Sequence, residues 1–354
     1  MTDEIDLTSP NGSVDVASSV ELNEAQMIEF TAEHPTKLVN DILATAIRMR
    51  ATDVHLDAYN GDVHLRFRIN GVMRPILAPL TPENAIHVIA RLKVMANLDI
   101  VEKRRPQGGS FCVNYSDKLR RHAVNVRLPV VPGAWGEIVA LRLLDPLHFE
   151  VTLDNLGMPP SILALYRKLA AFPNGLLLVT GPTGSGKSTT LYCTIRELER
   201  RRDIKIVTIE DPIEYHFEKV CQTQVSDQMG FPPALRAFLR QNADVLMVGE
   251  IRDSETAGIS VRAATAGHLI LSAIHTRDAI AAIARMRYLQ VSDDLLSATL
   301  IGVVAQRLAR RICEHCRIEC TPAPELVASF YKQPPPRFFR GAGCDKCDRT
   351  GCSG

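Results

Sequence analysis

The chain has 354 residues, 46% hydrophobic and 23% charged, with Lys+Arg at 41 against Asp+Glu at 40 for a formal net charge of +1. That length suits about two ordinary domains plus a small appendage, and the near-neutral charge excludes a global field drawing the chain to nucleic acid or an anionic membrane. No apolar run reaches the roughly eighteen residues of a membrane-spanning helix, and Met1 to Val20 is too acidic and polar for a secretory signal.

Residues 1 to about 34 are rich in Asp, Glu, Ser and Thr around "SPNGS". They read as a mostly disordered leader, partly helical over Glu21 to Glu33. From Thr36, "TKLVNDILATAIRMRATDVHLDA" places Leu38, Ile42, Leu43, Ala46 and Ile47 on one helical face. In "VHLRFRING", Val63, Leu65, Phe67 and Ile69 alternate along a strand that Asn70-Gly71 turns. Thr81 to Ile100 is a second amphipathic helix, opened by Thr-Pro, and "AVNVRLPVV" and "EIVALRLLD" are further strands. Residues 35–145 therefore predict a small α+β domain. The loop-rich "DPLHFEVTLDNLGMPP" predicts a linker over 146–160. Beyond it, "GLLLVTG", "IKIVTIED", "ADVLMVGE" and "HLILSAIH" are short apolar runs separated by helical stretches, which argues for a parallel sheet with crossover helices over 161–354.

"LLLVTGPTGSGKSTTLY" holds Gly181-x4-Gly186-Lys187-Ser188, the full phosphate-loop pattern, between an apolar run and a helix. Glycines let consecutive N–H groups from Gly181, Pro182, Thr183, Gly184, Ser185, Gly186, Lys187, Ser188 and Thr189 surround phosphate oxygens where the backbone carries a donor, and the helix N-terminus adds positive potential. Lys187 then neutralises β/γ charge and the Ser188 hydroxyl ligates Mg²⁺. A second strand tip must deliver a carboxylate, and "VLMVGE" does so with Glu250, expected to orient or deprotonate the attacking water or to hold Mg²⁺ through one. "IVTIEDPIEY" supplies a second acidic tip with Glu210, Asp211 and Glu214, one of them expected near Mg²⁺; the bland alternative is surface charge. His268 and His275 bracket one apolar run and are candidates for γ-phosphate sensing, although a lone histidine is more often an ordinary core or surface residue.

The nine cysteines are unevenly placed: Cys112, Cys193 and Cys221 are isolated, whereas Cys313, Cys316, Cys320, Cys344, Cys347 and Cys352 crowd the C-terminal end. CxxC pairs in a chain without a secretory signal point to metal before disulfides, and to the cytosol. Cys313, Cys316, Cys344 and Cys347 are the expected Zn²⁺ ligands, with Cys320, Cys352 and His315 as alternatives, in a structural lobe at about 311–354.

Together "TGPTGSGKSTTLY", "IEDPIEY", "LRQNADVLMVGEIRDSETA", "AGHLILSAIHT" and "QRLARRICEHC…GCDKCDRTG" resemble the motor ATPases of type II secretion and type IV pilus assembly. "ATDVHLDA", "VHLRFRINGVM" and "WGEIVALRLLD" extend the resemblance over residues 35–354. It implies a RecA-like P-loop domain preceded by a smaller PAS-like α+β domain, a hexameric ring and an inner-membrane platform protein as partner. ATP hydrolysis would power pilin or pseudopilin assembly from a cytoplasmic, peripherally membrane-associated position, with no nucleic acid bound and no direct membrane insertion. The family's "RQDPD", "PQDGR" and "RVSTLP" are altered here to Arg240-Gln241-Asn242-Ala243-Asp244, Pro106-Gln107-Gly108-Gly109-Ser110 and Val124-Asn125-Val126-Arg127-Leu128-Pro129. Two arginines that reach phosphate are thus missing from their usual places, and Arg127 and Arg142 are the candidates to replace them. The chain stops at "TGCSG", where relatives continue, so part of the C-terminal lobe is expected to be absent. A pilus-retraction ATPase, a RecA-like nucleic-acid translocase and a nucleotide-binding scaffold are the competing readings. The four cysteines argue against the first; low aromatic content and neutral charge argue against the second.

Overall fold

The structure is a computed structural model that describes residues 19–23, 34–76, 80–116, 121–145, 151–200, 203–226, 228–330, 337–347 and 349–352. The chain divides into two compact units, Met1–Asp145 and Pro146–Gly354.

Among the described residues, the first unit is one seven-stranded sheet with two helices. Its elements are β1 (Ser19–Asn23), α1 (Pro35–Arg48), β2 (Ala51–Tyr59), β3 (Asp62–Ile69), β4 (Val72–Pro75), α2 (Pro82–Met95), β5 (Gln107–Ser116), β6 (Arg121–Gly133) and β7 (Gly136–Leu144), with strand order β1-β5-β6-β7-β2-β3-β4. Only the β1–β5 pair is parallel. Proline at the first turn pre-sets the helical φ of α1, and its face of Leu38, Ile42, Leu43, Ala46 and Ile47 is buried on the sheet. In α2 the Thr81 hydroxyl accepts the Asn84 N–H at 3.2 Å. The helix stops at Met95, short of the expected Ile100, because Asn97 turns left-handed at φ 54°.

Two expectations change here. The helical reading of "TKLV…HLDA" ends at Arg48, and Ala51–Tyr59 is β2: Val54 and Leu56 face the core while Asp53, His55 and Asp57 alternate with them. In the leader, Ser19–Asn23 is a strand paired with Cys112–Ser116 rather than the start of a helix. The remainder of the expected helix, 24–33, lies outside the described residues. Lys93, 1% exposed, is satisfied by Glu137 at 2.6 Å and the Glu102 carbonyl at 2.8 Å, pinning α2 to β7 and the following loop.

The second unit contains α3 (Pro160–Ala170), β8 (Gly175–Thr180), α4 (Lys187–Glu199), β9 (Ile206–Glu210), β10 (Cys221–Gln224), α5 (Phe231–Phe238), β11 (Val245–Glu250), α6 (Ser254–Thr265), β12 (Leu269–Ile274), α7 (Ala279–Tyr288), α8 (Asp293–Thr299) and β13 (Leu300–Ala305). The sheet order is β10-β9-β11-β12-β8-β13, and every pair is parallel. Helices cover both faces, which is why the strands read as unbroken apolar runs. Leu176, Leu178, Val207 and Ile270 enter one core; Leu177, Val179, Met247 and Leu271 enter the other. Parallel strands share a direction, so the C-terminal ends of β8, β11 and β12 arrive side by side at one edge, and that placement creates the site. The chain finishes in a lobe with an antiparallel pair, β14 (Arg317–Cys320) and β15 (Phe338–Gly341), and a short helix, α9 (Pro324–Phe330).

Candidate nucleotide site and cysteine centre

β8 is buried through Thr180 and then releases the glycine loop, which feeds α4 at Lys187. Gly186 caps the helix at φ 84°, a conformation that a side chain would strain, and so aligns the first helical N–H groups with the loop interior. Two features mark this interior as built for an anion. Ser185 is 3% exposed, and its hydroxyl has no partner. The Lys187 ammonium curls over the loop, donating to the carbonyls of Gly181 at 3.1 Å and Pro182 at 2.9 Å. Burial lowers its pKa, and the negative charge of Glu250 offsets part of that shift. A cation held by neutral carbonyls, beside an orphaned hydroxyl and a helix N-terminus, suits phosphate. Ser188 is exposed in the first turn of α4 and Thr189 is half-buried.

Glu250 is aimed by a bulge. β11 pairs in register with β12 from Val245 to Val248, then slips so that Glu250 stands opposite Ala273. Gly249 absorbs the extra residue: a Cβ there would lie 3.3 Å from the Ile209 carbonyl. The Glu250 carboxylate receives Arg252 on one oxygen and His275 Nε2 at 3.2 Å on the other. Arg252 also reaches Asp211 at 3.4 Å. Burial by itself raises the Glu250 carboxyl, but Arg252, His275 and Lys187 together outweigh it and hold it below the usual glutamate value. His275 is lowered, chiefly by burial and then by Lys187, against the pull of Glu250. The site thus joins an ionised carboxylate, a largely neutral imidazole and an ammonium at adjoining strand ends.

The other candidates are placed differently. His268 precedes β12, at the opposite end of the sheet, where its Nδ1 lies 2.6 Å from the Ala243 carbonyl. The six residues of β12 put about 20 Å between it and His275, so the structure does not bring His268 to the loop. Glu210, 2% exposed, is engaged by the hydroxyls of Tyr192 and Thr208 and by Gln222 Nε2 at 3.0 Å. These donors tie β9 to α4 and to β10, an internal brace rather than a side chain free for solvent chemistry. Glu214 is half-buried, and its N–H donates to the Tyr192 hydroxyl at 3.2 Å. Tyr192→Phe deprives both groups of that hydroxyl. It is expected to cost about 1–3 kcal/mol of stability, visible as a lower denaturation midpoint; an unchanged midpoint would show the brace to be dispensable. Arg127 and Arg142 belong to the first unit, opposite each other across β6 and β7, with Arg142 3.3 Å from Asp53.

Arg252 and Gln306 were not anticipated. The signal for Arg252 was its position two residues after Glu250; Gln306 opens "QRLARRICEHC", but its bond to the Ser185 carbonyl depends on β13 lying beside β8.

In the lobe, Cys313, Cys316, Cys344 and Cys347 bring their sulfurs within 4.8 Å of one another. Three separations are 3.9, 3.7 and 3.8 Å. A tetrahedron with metal–sulfur bonds of about 2.3 Å has edges near 3.8 Å, so the four sulfurs fit Zn²⁺. Backbone N–H groups of Cys344 and Gly351 donate to Cys347 Sγ, each at 3.3 Å, and bring its thiol down to about 6. Cys320, Cys352 and His315 stand outside the cluster.

The second unit is thus a parallel α/β unit whose strand tips gather around a glycine loop of a shape and charge suited to an anion. The family described as Type II/IV secretion system protein matches residues 31–354, and the chain belongs to it. It is 45% identical over 320 residues to the type II secretion system protein E of Klebsiella pneumoniae, covering 90% of this chain. With the type II secretion system ATPase E of Vibrio cholerae it shares 42% over 322 residues, again 90% of this chain. The chain spans 63% of the length of each of these relatives. The crystal structure of the pilus retraction motor PilT with bound ADP is similar at a TM-score of 0.58 and 33% identity, covering 77% of this chain and 79% of that one. No helix among the described residues is long and apolar enough to cross a membrane.

Proposed function

We propose that the chain hydrolyses ATP with Mg²⁺ and turns the free energy into mechanical work for a type II secretion or type IV pilus assembly machine. The observation that carries this is the meeting of Lys187, Glu250 and His275 at the edge where the glycine loop opens. A relative named as an ATPase and an ADP-bound structural neighbour support it.

In this reading the loop N–H groups hold the α- and β-phosphates, and Lys187 exchanges its two carbonyl partners for β/γ oxygens. The Ser188 hydroxyl, and Glu250 through water, would hold Mg²⁺, which would supply charge neutralisation at the phosphates. Glu250, ionised at neutral pH, orients the attacking water, and His275 steadies the carboxylate from its other side. Glu210 braces the strand behind the site. Arg127 and Arg142 are the first unit's candidates for phosphate contact, and a Zn²⁺-bearing lobe completes the chain. A homohexameric ring, a platform protein at the inner membrane and a cytoplasmic location follow from the family resemblance.

The test is magnesium-ATP turnover by the intact chain, compared between monomeric and assembled fractions and with or without DNA. Weak turnover that rises on assembly and ignores DNA is expected. Equal rates in monomer and assembly would contradict the ring, DNA stimulation would favour a translocase, and no turnover in any fraction would leave a nucleotide-binding scaffold.

A further inference from the structure

We propose that Gln306, immediately after β13, is a positioning residue that sets the phosphate-binding geometry of the glycine loop. This rests on the nucleotide reading above and names a part of that site outside its sequence pattern.

One residue ties together the end of β8, the loop and the start of α4. The Gln306 backbone N–H donates to the Thr180 carbonyl at 2.9 Å, fixing the residue beside the end of β8. Its Nε2 donates to the Ser185 carbonyl at 2.6 Å, and its Oε1 accepts the Thr190 hydroxyl at 2.9 Å. Ser185 offers only a carbonyl there, so the amide must present its NH₂ side, and Thr190, 2% exposed on α4, holds the other side in place.

The loop is pressed against this residue at both of its end glycines, against its backbone at one and its side chain at the other. A Cβ on Gly181 would lie 2.5 Å from the Gln306 carbonyl oxygen, and one on Gly186 would lie 3.2 Å from Nε2. The consequence follows from peptide planarity. In a trans peptide the C=O and the next N–H point in opposite directions. Anchoring the Ser185 carbonyl on Gln306 therefore turns the Gly186 N–H away from Gln306, toward the interior where phosphate would sit. The same anchor orients Ser185, whose buried hydroxyl lacks a partner.

The experiment measures binding of a fluorescent ADP analogue to the intact chain and three variants. Gln306→Leu keeps the volume and loses both side-chain hydrogen bonds; ADP affinity is expected to fall about tenfold, the scale of one or two net hydrogen bonds. Thr190→Val frees the amide to rotate and is expected to weaken ADP less. Gln306→Glu sets an oxygen against the Ser185 carbonyl at neutral pH. It should bind weakly there and recover toward about pH 5, where protonation restores a donor; the parent should show no such recovery. That pH response separates positioning from mere packing, and it stands with Thr190→Val if Gln306→Leu does not fold. Gln306→Leu and Thr190→Val binding ADP as tightly as the parent, or Gln306→Glu following the parent's pH profile, would overturn the proposal alone. A parent chain that binds no ADP would remove the nucleotide reading and this inference with it.

Discussion

Glu250→Gln is expected to reduce ATP turnover by about 10²–10⁴-fold while nucleotide binding changes little, the range for losing a group that manages a proton or a water in the transition state. Glutamine keeps the volume and the bulged backbone at Gly249, so the substitution removes charge rather than shape. What it takes away is the ionised acceptor held between Arg252 and His275. Because Arg252, His275 and Lys187 together hold the Glu250 carboxyl low, it stays ionised throughout the neutral range and sets no acidic limb there. His275 does set one. Burial and Lys187 keep it below its ordinary 6.5, so it is neutral at pH 7 and gains a proton only in acid. Its protonation in acid adds a cation facing Glu250, beside Lys187 and Arg252, and tightens the carboxylate's pairing at the expense of water. Turnover should therefore be level across neutrality and decline only on the acid side of the ordinary imidazole value. A variant as active as the parent would remove Glu250 from the chemistry and leave the loop as a binding element.

Loss of the metal is expected to unfold the cysteine lobe while sparing the parallel sheet. β14 and β15 are four residues each and none of these residues is buried, far too little apolar surface to fold unaided. Zn²⁺ bound by thiolates supplies on the order of 10 kcal/mol in small domains of this kind, and chelation withdraws it. The measurements are metal content, expected near one Zn²⁺ per chain, and protease protection within 311–352 before and after chelation. Cys347→Ala should abolish both. Cys320→Ala should abolish neither, because Cys320 lies outside the four-sulfur cluster. Undiminished protection in metal-free protein would show that the lobe folds by packing alone.

The parallel sheet was legible because strands buried on both faces must be largely apolar, as "GLLLV" and "VLMV" are. The glycine loop and the paired cysteines were legible because their chemistry needs short, fixed spacings. What depends on direction or distance in space was not. His268 and His275 look equivalent in the sequence, yet a strand separates them, and only His275 lies at the edge where β8 ends. Glu210 and Glu250 both close apolar runs. The bulge at Gly249 turns one toward the loop, while Tyr192, Thr208 and Gln222 enclose the other. Strand β2 was hidden behind the helical face of α1, and β1 by its polar composition; as an edge strand it needs no apolar run on both faces.

The short passage leading out of β13 has a further geometric consequence. Gln306 grips the glycine loop, and Cys313, seven residues later, is the first of the clustered thiols. Seven residues at full stretch reach no more than about 25 Å. The leash therefore keeps any ion in the lobe within spectroscopic range of a bound nucleotide, so that Co²⁺ exchanged into the thiols would serve as a ruler for motion between them.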